Sequence, residues 1–395
     1  MDKVRFGIIG LGNMGSSHAR GMKGIETAEL TAICDSDPKQ LEKIKALVPD
    51  SVRAFNSADE LFAAKACEAV IVATPHYDHP SLGIKALQTG HHLLCEKPIA
   101  VGTRAAHELI AEANKHPDLK FGLMFNQRTN PMYAKLRQLL QEGELGEITR
   151  VTWLITDWFR TWSYYAQGGW RATWAGEGGG VLINQCPHNL DLLQWITGMM
   201  PSRVTAVGFI GKTHPIETED EMSAILEYPN GAIGHFVTTT GEAPGTNRLE
   251  ICGDQGKIIA EAGKLTFTRT RKNVRTIRET SPDAFASVER WTIDIPFPKE
   301  PAGQGEHERM TRNFIKAVRT GSEMLGPGVE AVRGLEIGNA MLMSAMQRRG
   351  VDLPIDGVAY DQLLLDLAKQ YGGKKKLETK EANVDMAASA AGSFA

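Results

Sequence analysis

Long apolar runs are absent from this chain: no stretch of about 18 consecutive apolar residues occurs, which excludes a transmembrane helix. The N-terminus reads as a strand entering a glycine turn, and it lacks the apolar core and cleavage site of a signal peptide. The five cysteines are odd in number, scattered and never spaced C-x-x-C. This usage is typical of a reducing compartment and argues against a disulfide framework or a structural zinc site. We therefore expect a cytoplasmic protein without a metal centre.

Charge of one sign is also scarce. The 395 residues carry a formal net charge of −3 and no basic block before the C-terminal tail. Neither nucleic acid nor an anionic membrane is therefore an expected partner. With 42% apolar and 23% charged residues, the composition is that of a globular protein, and the length suggests two or three domains.

Short apolar runs alternate with amphipathic stretches in the first third of the chain. The apolar runs read as strands buried on both faces, as in parallel sheets, at residues 4–9, 30–34, 69–74, 92–95 and 121–125. Asp37 followed by Pro38 is typical of a helix start. This βαβα order predicts an α/β fold with a doubly wound parallel sheet over residues 1–125.

After about residue 125 the pattern changes. Alternating strand patterns dominate, at residues 151–156, 203–208, 222–227 and 232–238. Pro229-Asn230-Gly231 between the last two is a hairpin signal. We expect a second α/β domain over residues 126–371, with a large, open, mostly antiparallel sheet and flanking helices. A disordered tail is expected over residues 372–395.

Gly10-Leu11-Gly12-Asn13-Met14-Gly15 is a G-x-G-x-x-G motif. It follows a predicted strand and opens a predicted helix, the context in which the motif indicates dinucleotide binding. Gly10 permits the tight turn, Gly12 lets the backbone approach a pyrophosphate, and Gly15 lets helix and strand pack closely. With Asn13 and Met14, these glycines are the candidate pyrophosphate site at a helix N-terminus. The alternative is a glycine turn without a ligand.

Asp35 follows the second predicted strand, 20 residues after Gly15. An acidic residue at this position hydrogen-bonds the adenosine ribose and repels a 2′-phosphate, so the sequence favours NAD over NADP. Lys39 and Arg53 are close in sequence and keep NADP open. A loop-capping role for Asp35 is the alternative.

Two further segments carry groups that handle protons. Glu96-Lys97-Pro98 ends a predicted strand, at the edge where ligands of doubly wound sheets bind; a solvated surface lysine is the alternative. The second segment runs from the glycines at 178–180 to Asp191. If it is helical, Asn184 and His188 lie on one face. A histidine near a carboxylate is the usual build of a general base, and a core histidine satisfied by its own helix is the alternative.

Taken together, the glycine turn at 10–15, Glu96-Lys97-Pro98, and the glycine run leading to His188 and Asp191 resemble the glucose–fructose oxidoreductase / inositol dehydrogenase / rhizopine catabolism (Gfo/Idh/MocA) family. The resemblance extends from residue 4 to residue 355. It implies an N-terminal Rossmann domain and a C-terminal α/β domain whose open sheet serves homo-oligomerisation, as a dimer or tetramer. The chemistry that it implies is NAD(P)-dependent oxidation or reduction of a CH–OH group in a sugar or polyol.

Through this resemblance, Lys97 corresponds to the family's catalytic lysine and His188 to its catalytic histidine. Asn184 occupies a position that many members fill with Asp, and Asn cannot take a proton, although it donates and accepts hydrogen bonds. Cys186-Pro187 replaces a commoner small residue before the histidine. Because a proline inside a helix costs about 3 kcal/mol, we expect a kink or a late helix start at Pro187.

Five of the seven tryptophans lie between residues 153 and 174. Trp153 alternates with apolar neighbours and is expected in the core, whereas the rest of the stretch fits no strand or helix period. Flat aromatic rings beside hydrogen-bonding charges suit the faces and rims of sugars. We expect a long substrate loop, with core packing or contact with a neighbouring subunit as alternatives. The candidate sugar-binding residues, besides Asn184, are Trp158, Arg160, Trp162, Tyr165 and Arg171.

Two more segments end predicted strands at the edge where the cofactor is expected. Thr74-Pro75-His76 follows the third strand, and we expect it to line the dinucleotide together with Glu96 and Lys97. Asn126-Gln127-Arg128 follows the fifth. Arg128 is a candidate for binding a sugar oxygen; a helix cap or an interdomain salt bridge is the alternative.

These expectations combine into an NAD-dependent dehydrogenase of a sugar, polyol or glycoside, in which His188 takes the hydroxyl proton and Lys97 stabilises the developing alkoxide. One alternative is a glycosidase that retains NAD and acts through transient oxidation, without net NADH. The other is a regulatory protein that senses a dinucleotide or sugar without turnover, which needs neither Lys97 nor His188.

Overall fold

The structure is a computed structural model that describes residues 2–378 of the chain. These residues form two compact units. Unit 1 holds residues 2–129, 176–178 and 301–335, and unit 2 holds residues 130–175, 179–300 and 336–378. Disorder was expected over residues 372–395, of which those from 379 on lie outside the described residues. Residues 373–377 contact other residues of unit 2. None of the helices in the described part is long and apolar enough to cross a membrane.

Helices and strands alternate through the first part of the chain. In order, they are β1 (Val4–Ile9), α1 (Asn13–Gly21), β2 (Ala28–Cys34), α2 (Pro38–Lys45), β3 (Arg53–Phe55), α3 (Ala58–Ala63), β4 (Ala69–Val72), α4 (Asp78–Gln88), β5 (His92–Cys95), α5 (Thr103–Ala113) and β6 (Phe121–Leu123).

In the rest of the described chain, helices and strands no longer alternate regularly. In order, it has α6 (Pro131–Gln141), β7 (Ile148–Ile155), α7 (Trp162–Tyr165), α8 (Val181–Asn184), α9 (Pro187–Thr197), β8 (Arg203–Ile210), β9 (Glu219–Glu227), β10 (Ile233–Thr239), β11 (Asn247–Gly253), β12 (Gly256–Glu261), β13 (Lys264–Thr270), α10 (Val274–Thr280), β14 (Arg290–Asp294), α11 (Glu306–Thr320), α12 (Ala331–Gln347), β15 (Val351–Asp352) and α13 (Gly357–Tyr371).

The six strands of unit 1 form one parallel sheet in the order β3-β2-β1-β4-β5-β6, which confirms the predicted doubly wound fold. Its strands are buried on both faces, as their near-continuous apolar runs predict. The strand order reverses between β1 and β4, so the loops that follow these two strands diverge and leave a crevice at their carboxyl ends. Asp37 caps α2 as predicted, accepting a hydrogen bond from the backbone N–H of Lys39 at 2.9 Å.

Unit 1 is not contiguous in sequence, which differs from the expected division at residues 125 and 126. Helix α11 belongs to this unit because its apolar face, with Met310, Phe314 and Ile315, is buried in the core around the parallel sheet. The ring of Phe314 lies 6.3 Å from that of Phe6 in β1. The periodicity of the sequence identifies this helix but carries no information on which sheet covers it.

Unit 2 is built on a nine-stranded sheet in the order β14-β13-β12-β11-β7-β10-β9-β8-β15. Its strands pair antiparallel except β7 and β10, which run parallel. The predicted hairpin at residues 229–231 joins β9 and β10. Trp153 is fully buried under Tyr133 of α6, with ring centroids 6.1 Å apart, which confirms its expected place in the core.

Candidate active site

The glycine turn of unit 1 lies between β1 and α1, at the crevice of the parallel sheet. Gly10 has a φ of +86°, and a Cβ there would lie 2.7 Å from the backbone of Ala73. A Cβ at Gly15 would overlap the carbonyl oxygen of Gly10. These two positions therefore need glycine for the protein's own packing. Gly12 differs, since apart from its chain neighbours and the adjacent helix backbone no described atom lies within 4 Å of the position of its Cβ.

The open space at Gly12 fits a dinucleotide pyrophosphate. Gly12 is the N-cap of α1, and Asn13 and Met14 begin the helix, so their N–H groups face this side of the turn. The buried Oγ1 of Thr74, which follows β4, has no hydrogen-bond partner among the described residues. A buried hydroxyl without a partner is costly, and a ligand oxygen would supply one. The residues present thus fit a bound dinucleotide.

Asp35 lies at the end of β2, beside the glycine turn. Its Oδ2 accepts a hydrogen bond from the N–H of Leu11 at 2.6 Å, and its Oδ1 accepts one from the N–H of Asp37 at 2.8 Å. The carboxylate is therefore held close to the turn. The guanidinium of Arg53 lies 5.0 Å over the ring of Phe55, and the side chain of Lys39 is exposed. Asp35 is thus the charge fixed against the turn, as binding of an unphosphorylated ribose requires.

Glu96 precedes Lys97 at the end of β5 and is buried. Its Oε1 lies 2.7 Å from Nε2 of His18, and its Oε2 accepts the N–H of Lys97 at 3.2 Å. Burial acts to raise the pKa of Glu96, but the hydrogen bond from His18 and the charges of His18, His307 and Lys97 outweigh burial and lower the pKa to about 2. The carboxylate stays ionised and fixes the backbone from which the Lys97 side chain extends.

His18 and His307 were not predicted as site residues. The two rings are 5.7 Å apart, edge to face, and burial lowers the pKa of His307 to about 4. His18 follows Gly15 by one helical turn, so its spacing from the glycine motif is the signal that could have identified it. His307, on α11, carries no such signal, because the fold alone brings it to Glu96.

Thr74-Pro75-His76 follows β4, at the same edge of the sheet as the glycine turn and Lys97. The Nδ1 of His76 lies 3.0 Å from the carbonyl oxygen of Glu177. The ring nitrogens of the fully buried His79 lie 2.9 and 2.7 Å from the carbonyl oxygens of Thr74 and Pro98. Burial lowers the pKa of His79, although its contacts with the two carbonyl oxygens act to raise it, and the ring lies between the turn after β4 and the turn after β5.

Arg128 is buried within unit 1. Its Nη1 donates to the carbonyl oxygen of Leu325 at 2.9 Å and to Oε2 of Glu330 at 2.8 Å, and its guanidinium lies 5.1 Å from the ring of Phe125. Asn126 donates to Glu306 at 2.7 Å. These contacts hold Arg128 within unit 1 and are not the interdomain salt bridge considered as the alternative to sugar binding.

In unit 2, the chain enters α8 at Gly180, where a Cβ would overlap the backbone oxygen of Glu219. The buried Oε1 of Glu219 accepts the N–H groups of Gly180 at 2.9 Å and of Leu182 at 3.1 Å. This carboxylate stabilises the start of the helix. Sequence reasoning missed Glu219, because its partners lie 37 and 39 residues away.

The expected interruption at Pro187 is confirmed. Helix α8 ends at Asn184, and α9 begins at Pro187 with Cys186 as its N-cap. Asn184 and His188 therefore lie on two helical segments rather than on one continuous face. Both side chains are half-buried, whereas Asp191 on α9 is buried.

Tyr164 connects Asn184 to the aromatic segment, defined here as residues 157–174. Its hydroxyl donates to Oδ1 of Asn184 at 3.0 Å and accepts from Nη1 of Arg171 at 2.8 Å and from Nε2 of Gln185 at 3.1 Å. The guanidinium groups of Arg160 and Arg171 lie 5.1 and 4.7 Å from its ring centroid. Tyr164 was not selected as a site residue, because no helical or strand periodicity in the sequence distinguishes it from Tyr165.

The aromatic segment has one regular element, the single-turn helix α7, as expected for a long loop. Its rings do not share one environment. Trp162 is 60% exposed, whereas Trp158 is 7% and Tyr165 is 2% exposed. The Tyr165 hydroxyl donates to Oγ1 of Thr240 at 2.8 Å. For Trp158 and Tyr165 the structure therefore favours the packing alternative over direct sugar contact.

Polar groups under the aromatic segment hold its backbone. The ring of His214 lies 3.0 Å from Oδ2 of Asp220 through Nδ1 and 2.9 Å from the carbonyl oxygen of Arg160 through Nε2. Burial raises the pKa of Asp157 to about 6, although a hydrogen bond from Asn247 opposes the change. The segment is thus anchored by polar contacts as well as by its rings.

A doubly wound sheet with a glycine-turn cradle, followed by a unit on a large mixed sheet, defines the class of two-domain NAD(P)-dependent oxidoreductases. Residues 4–122 match the oxidoreductase family with an NAD-binding Rossmann fold, and residues 133–259 match the GFO/IDH/MocA C-terminal domain. The chain belongs to the Gfo/Idh/MocA family, as its motifs predict.

Several known proteins are similar over long stretches. The inositol 2-dehydrogenase of Rhizobium meliloti (strain 1021) is 25% identical, over 89% of this chain and 99% of that protein. An uncharacterized oxidoreductase of Streptococcus pneumoniae serotype 4 is 30% identical, over 65% of this chain and 68% of that protein. The crystal structure of the WlbA dehydrogenase from Bordetella pertussis, in complex with NADH and UDP-GlcNAcA, is 26% identical with a TM-score of 0.73 and covers 90% of this chain and 100% of that chain.

The glycine turn yields a first prediction. Gly15→Ala should destabilise the protein without cofactor by at least about 1–3 kcal/mol, because the added methyl group overlaps backbone. Gly12→Ala should leave that stability unchanged but weaken NAD binding by at least about tenfold. Thermal unfolding and calorimetric titration with NAD separate the two effects. Gly21→Ala, in the same helix and with open space around its Cβ, is the matched control; equal NAD affinity in Gly12→Ala and Gly21→Ala would contradict this account.

Asp35 yields a second prediction. The wild type should use NAD with a higher kcat/KM than NADP, and Asp35→Ser should reduce that preference by roughly 10- to 150-fold, the contribution of a hydrogen bond to a charged group. Steady-state kinetics with both cofactors measure the ratio. A wild type that prefers NADP would refute this role of Asp35.

Proposed function

We propose that this chain is an NAD-dependent dehydrogenase that oxidises, or in reverse reduces, a CH–OH group of a sugar, polyol or glycoside. The observation that carries the proposal lies in unit 1. The glycine turn, Thr74 and Lys97 follow β1, β4 and β5, which are consecutive neighbours in the sheet. Lys97 therefore places a cationic side chain at the sheet edge where a dinucleotide would bind.

A carbohydrate substrate is supported from two sides. One similar protein is named inositol 2-dehydrogenase, and another was solved with NADH and UDP-GlcNAcA. In unit 2, the exposed ring of Trp162 and the polar cluster of Tyr164, Arg171 and Asn184 combine an aromatic face with hydrogen-bonding groups. Sugars present complementary apolar faces and hydroxyl rims.

The proposed chemistry divides between two residues that the family resemblance assigns. NAD, when bound, accepts the hydride. His188 takes the hydroxyl proton of the substrate, and Lys97 donates a hydrogen bond to the same oxygen and stabilises its developing negative charge. Glu96 holds the backbone of Lys97, and Asn184 binds the sugar with its amide, since it cannot replace an Asp in proton transfer.

Homo-oligomerisation through the open face of the large sheet is part of the proposal. The strand register places Val207, Phe209, Ile225 and Ile233 on one face of β8, β9 and β10. Each is between 46% and 63% exposed. Clustered apolar side chains of this size are unusual on a monomer's surface. A cytoplasmic location is proposed as well, since all five cysteines are free thiols.

Catalysis gives the third prediction. In a screen of sugars, polyols and glycosides, the wild type should accumulate NADH with at least one substrate. His188→Ala should lower kcat by about 10²–10⁴-fold, as expected for a general base. Lys97→Ala should lower it by about 10²–10³-fold or more, as expected for an oxyanion donor. Both variants should still bind NAD, and oxidation should become faster as rising pH deprotonates the base.

The double variant distinguishes joint from separate action. Because the family resemblance assigns both residues to one substrate oxygen, Lys97→Ala with His188→Ala should lose far less than the product of the single losses. Near-normal kcat in His188→Ala would refute the assignment. Substrate turnover without net NADH would instead support the NAD-retaining glycosidase.

The fourth prediction concerns assembly. Ile225→Lys, which adds a charge to the apolar face, should convert an oligomer into monomers when mass is measured by light scattering. Leu365→Lys, on the exposed side of α13, should leave the mass unchanged. A monomeric wild type would exclude this interface.

A further inference from the structure

The C-terminal strap, residues 373–377, lies along the aromatic segment in unit 2. Lys375 and Leu377 are half-buried, whereas residues 374, 376 and 378 are exposed. This alternation means that an extended chain turns one side toward the unit. Leu377 packs against the buried cluster of Tyr165, Ala172 and Ile216.

Hydrogen bonds fix the strap at three points. The Nζ of Lys375 donates to the carbonyl oxygen of Arg171 at 2.7 Å and to that of Gly168 at 3.4 Å. The N–H of Gly373 donates to Oε1 of Glu217 at 2.8 Å, and the N–H of Lys376 donates to the carbonyl oxygen of Pro215 at 3.2 Å. The strap therefore holds its register by backbone bonds while one ammonium group reaches the aromatic segment.

A continuous series of contacts leads from this ammonium group to the candidate sugar site. Lys375 holds the backbone of Arg171, whose side chain donates to the hydroxyl of Tyr164, which in turn donates to Oδ1 of Asn184. The two acceptor sites and the single donor of the Tyr164 hydroxyl are all used, since Gln185 donates to it as well. Nε2 of Gln185 also donates to Oδ1 of Asn184, at 3.1 Å, so Arg171 acts through Tyr164 on one of the two hydrogen bonds that orient the Asn184 amide.

We infer that Lys375 is a positioning residue for sugar binding, which acts through Arg171 and Tyr164 to orient Asn184. The inference rests on the proposed function for its substrate class. The claim that the strap orders the aromatic segment does not rest on the proposed function. Substrate specificity is thereby tied to a C-terminal segment distant in sequence from every motif of the fold.

The kinetic test compares two adjacent lysines. Lys375→Met should raise KM for the sugar by about tenfold, the effect of one hydrogen bond from a charged group, while kcat and NAD affinity change little. Lys374→Met is the matched control, since Nζ of Lys374 lies over the ring of Tyr371 at 4.3 Å rather than on the aromatic segment. Lys375→Arg, which keeps the charge and donors, should restore KM. Equal KM values in the two Met variants would overturn the inference.

A second readout needs no sugar. Hydrogen exchange at the backbone amides of residues 162–172 should be faster in Lys375→Met than in Lys374→Met or in a chain truncated after residue 378. Unchanged protection in Lys375→Met would overturn the inference even if sugar oxidation is observed. Faster exchange in a protein that oxidises no sugar would retain the strap's ordering role but refute the proposed function, so the two failures are distinguishable.

Discussion

The cofactor end of unit 1 depends on the contact between helix α1 and the turn that precedes it. The Cα of Gly15 approaches the carbonyl oxygen of Gly10 so closely that no side chain fits, and Gly10 is in turn packed on the backbone after β4. This approach points the N-terminus of α1 at the crevice between β1 and β4. Two charged side chains lie at the same edge of the sheet. Asp35 is held at the turn by a hydrogen bond, and Lys97 follows the end of β5.

In each unit, polar side chains hold the candidate site residues in position. In unit 1, Glu96 joins His18 to the backbone of Lys97. In unit 2, Glu219 fixes the start of α8, and Tyr164 fixes the amide of Asn184. Hydrogen bonds to the carboxylates of Glu96 and Glu219 and to the amide of Asn184 hold the segments that carry these residues in one arrangement. The proposed specificity therefore depends on residues that do not themselves react.

The sequence predicted what depends on local pattern. The strands of the parallel sheet, the glycine turn, the cap at Asp37 and the break at Pro187 each have a signal within a few residues. Contacts between residues far apart in sequence have no such local signal and were not predicted. Nothing local to α11 shows that it covers the parallel sheet, and nothing distinguishes Tyr164, at the polar cluster, from Tyr165, which is buried against Thr240. Arg128, selected for its place at a strand end, donates to Glu330, a partner 202 residues away that no local pattern indicates.

In the proposed reaction, hydride passes directly from a carbinol carbon of a sugar or polyol to NAD. The most direct measurement uses the best substrate of the screen with deuterium on the carbon that is oxidised, followed by mass spectrometry of the NADH formed. Direct transfer predicts that the NADH formed carries the deuterium. NADH without deuterium, or deuterium found only in the solvent, would contradict it.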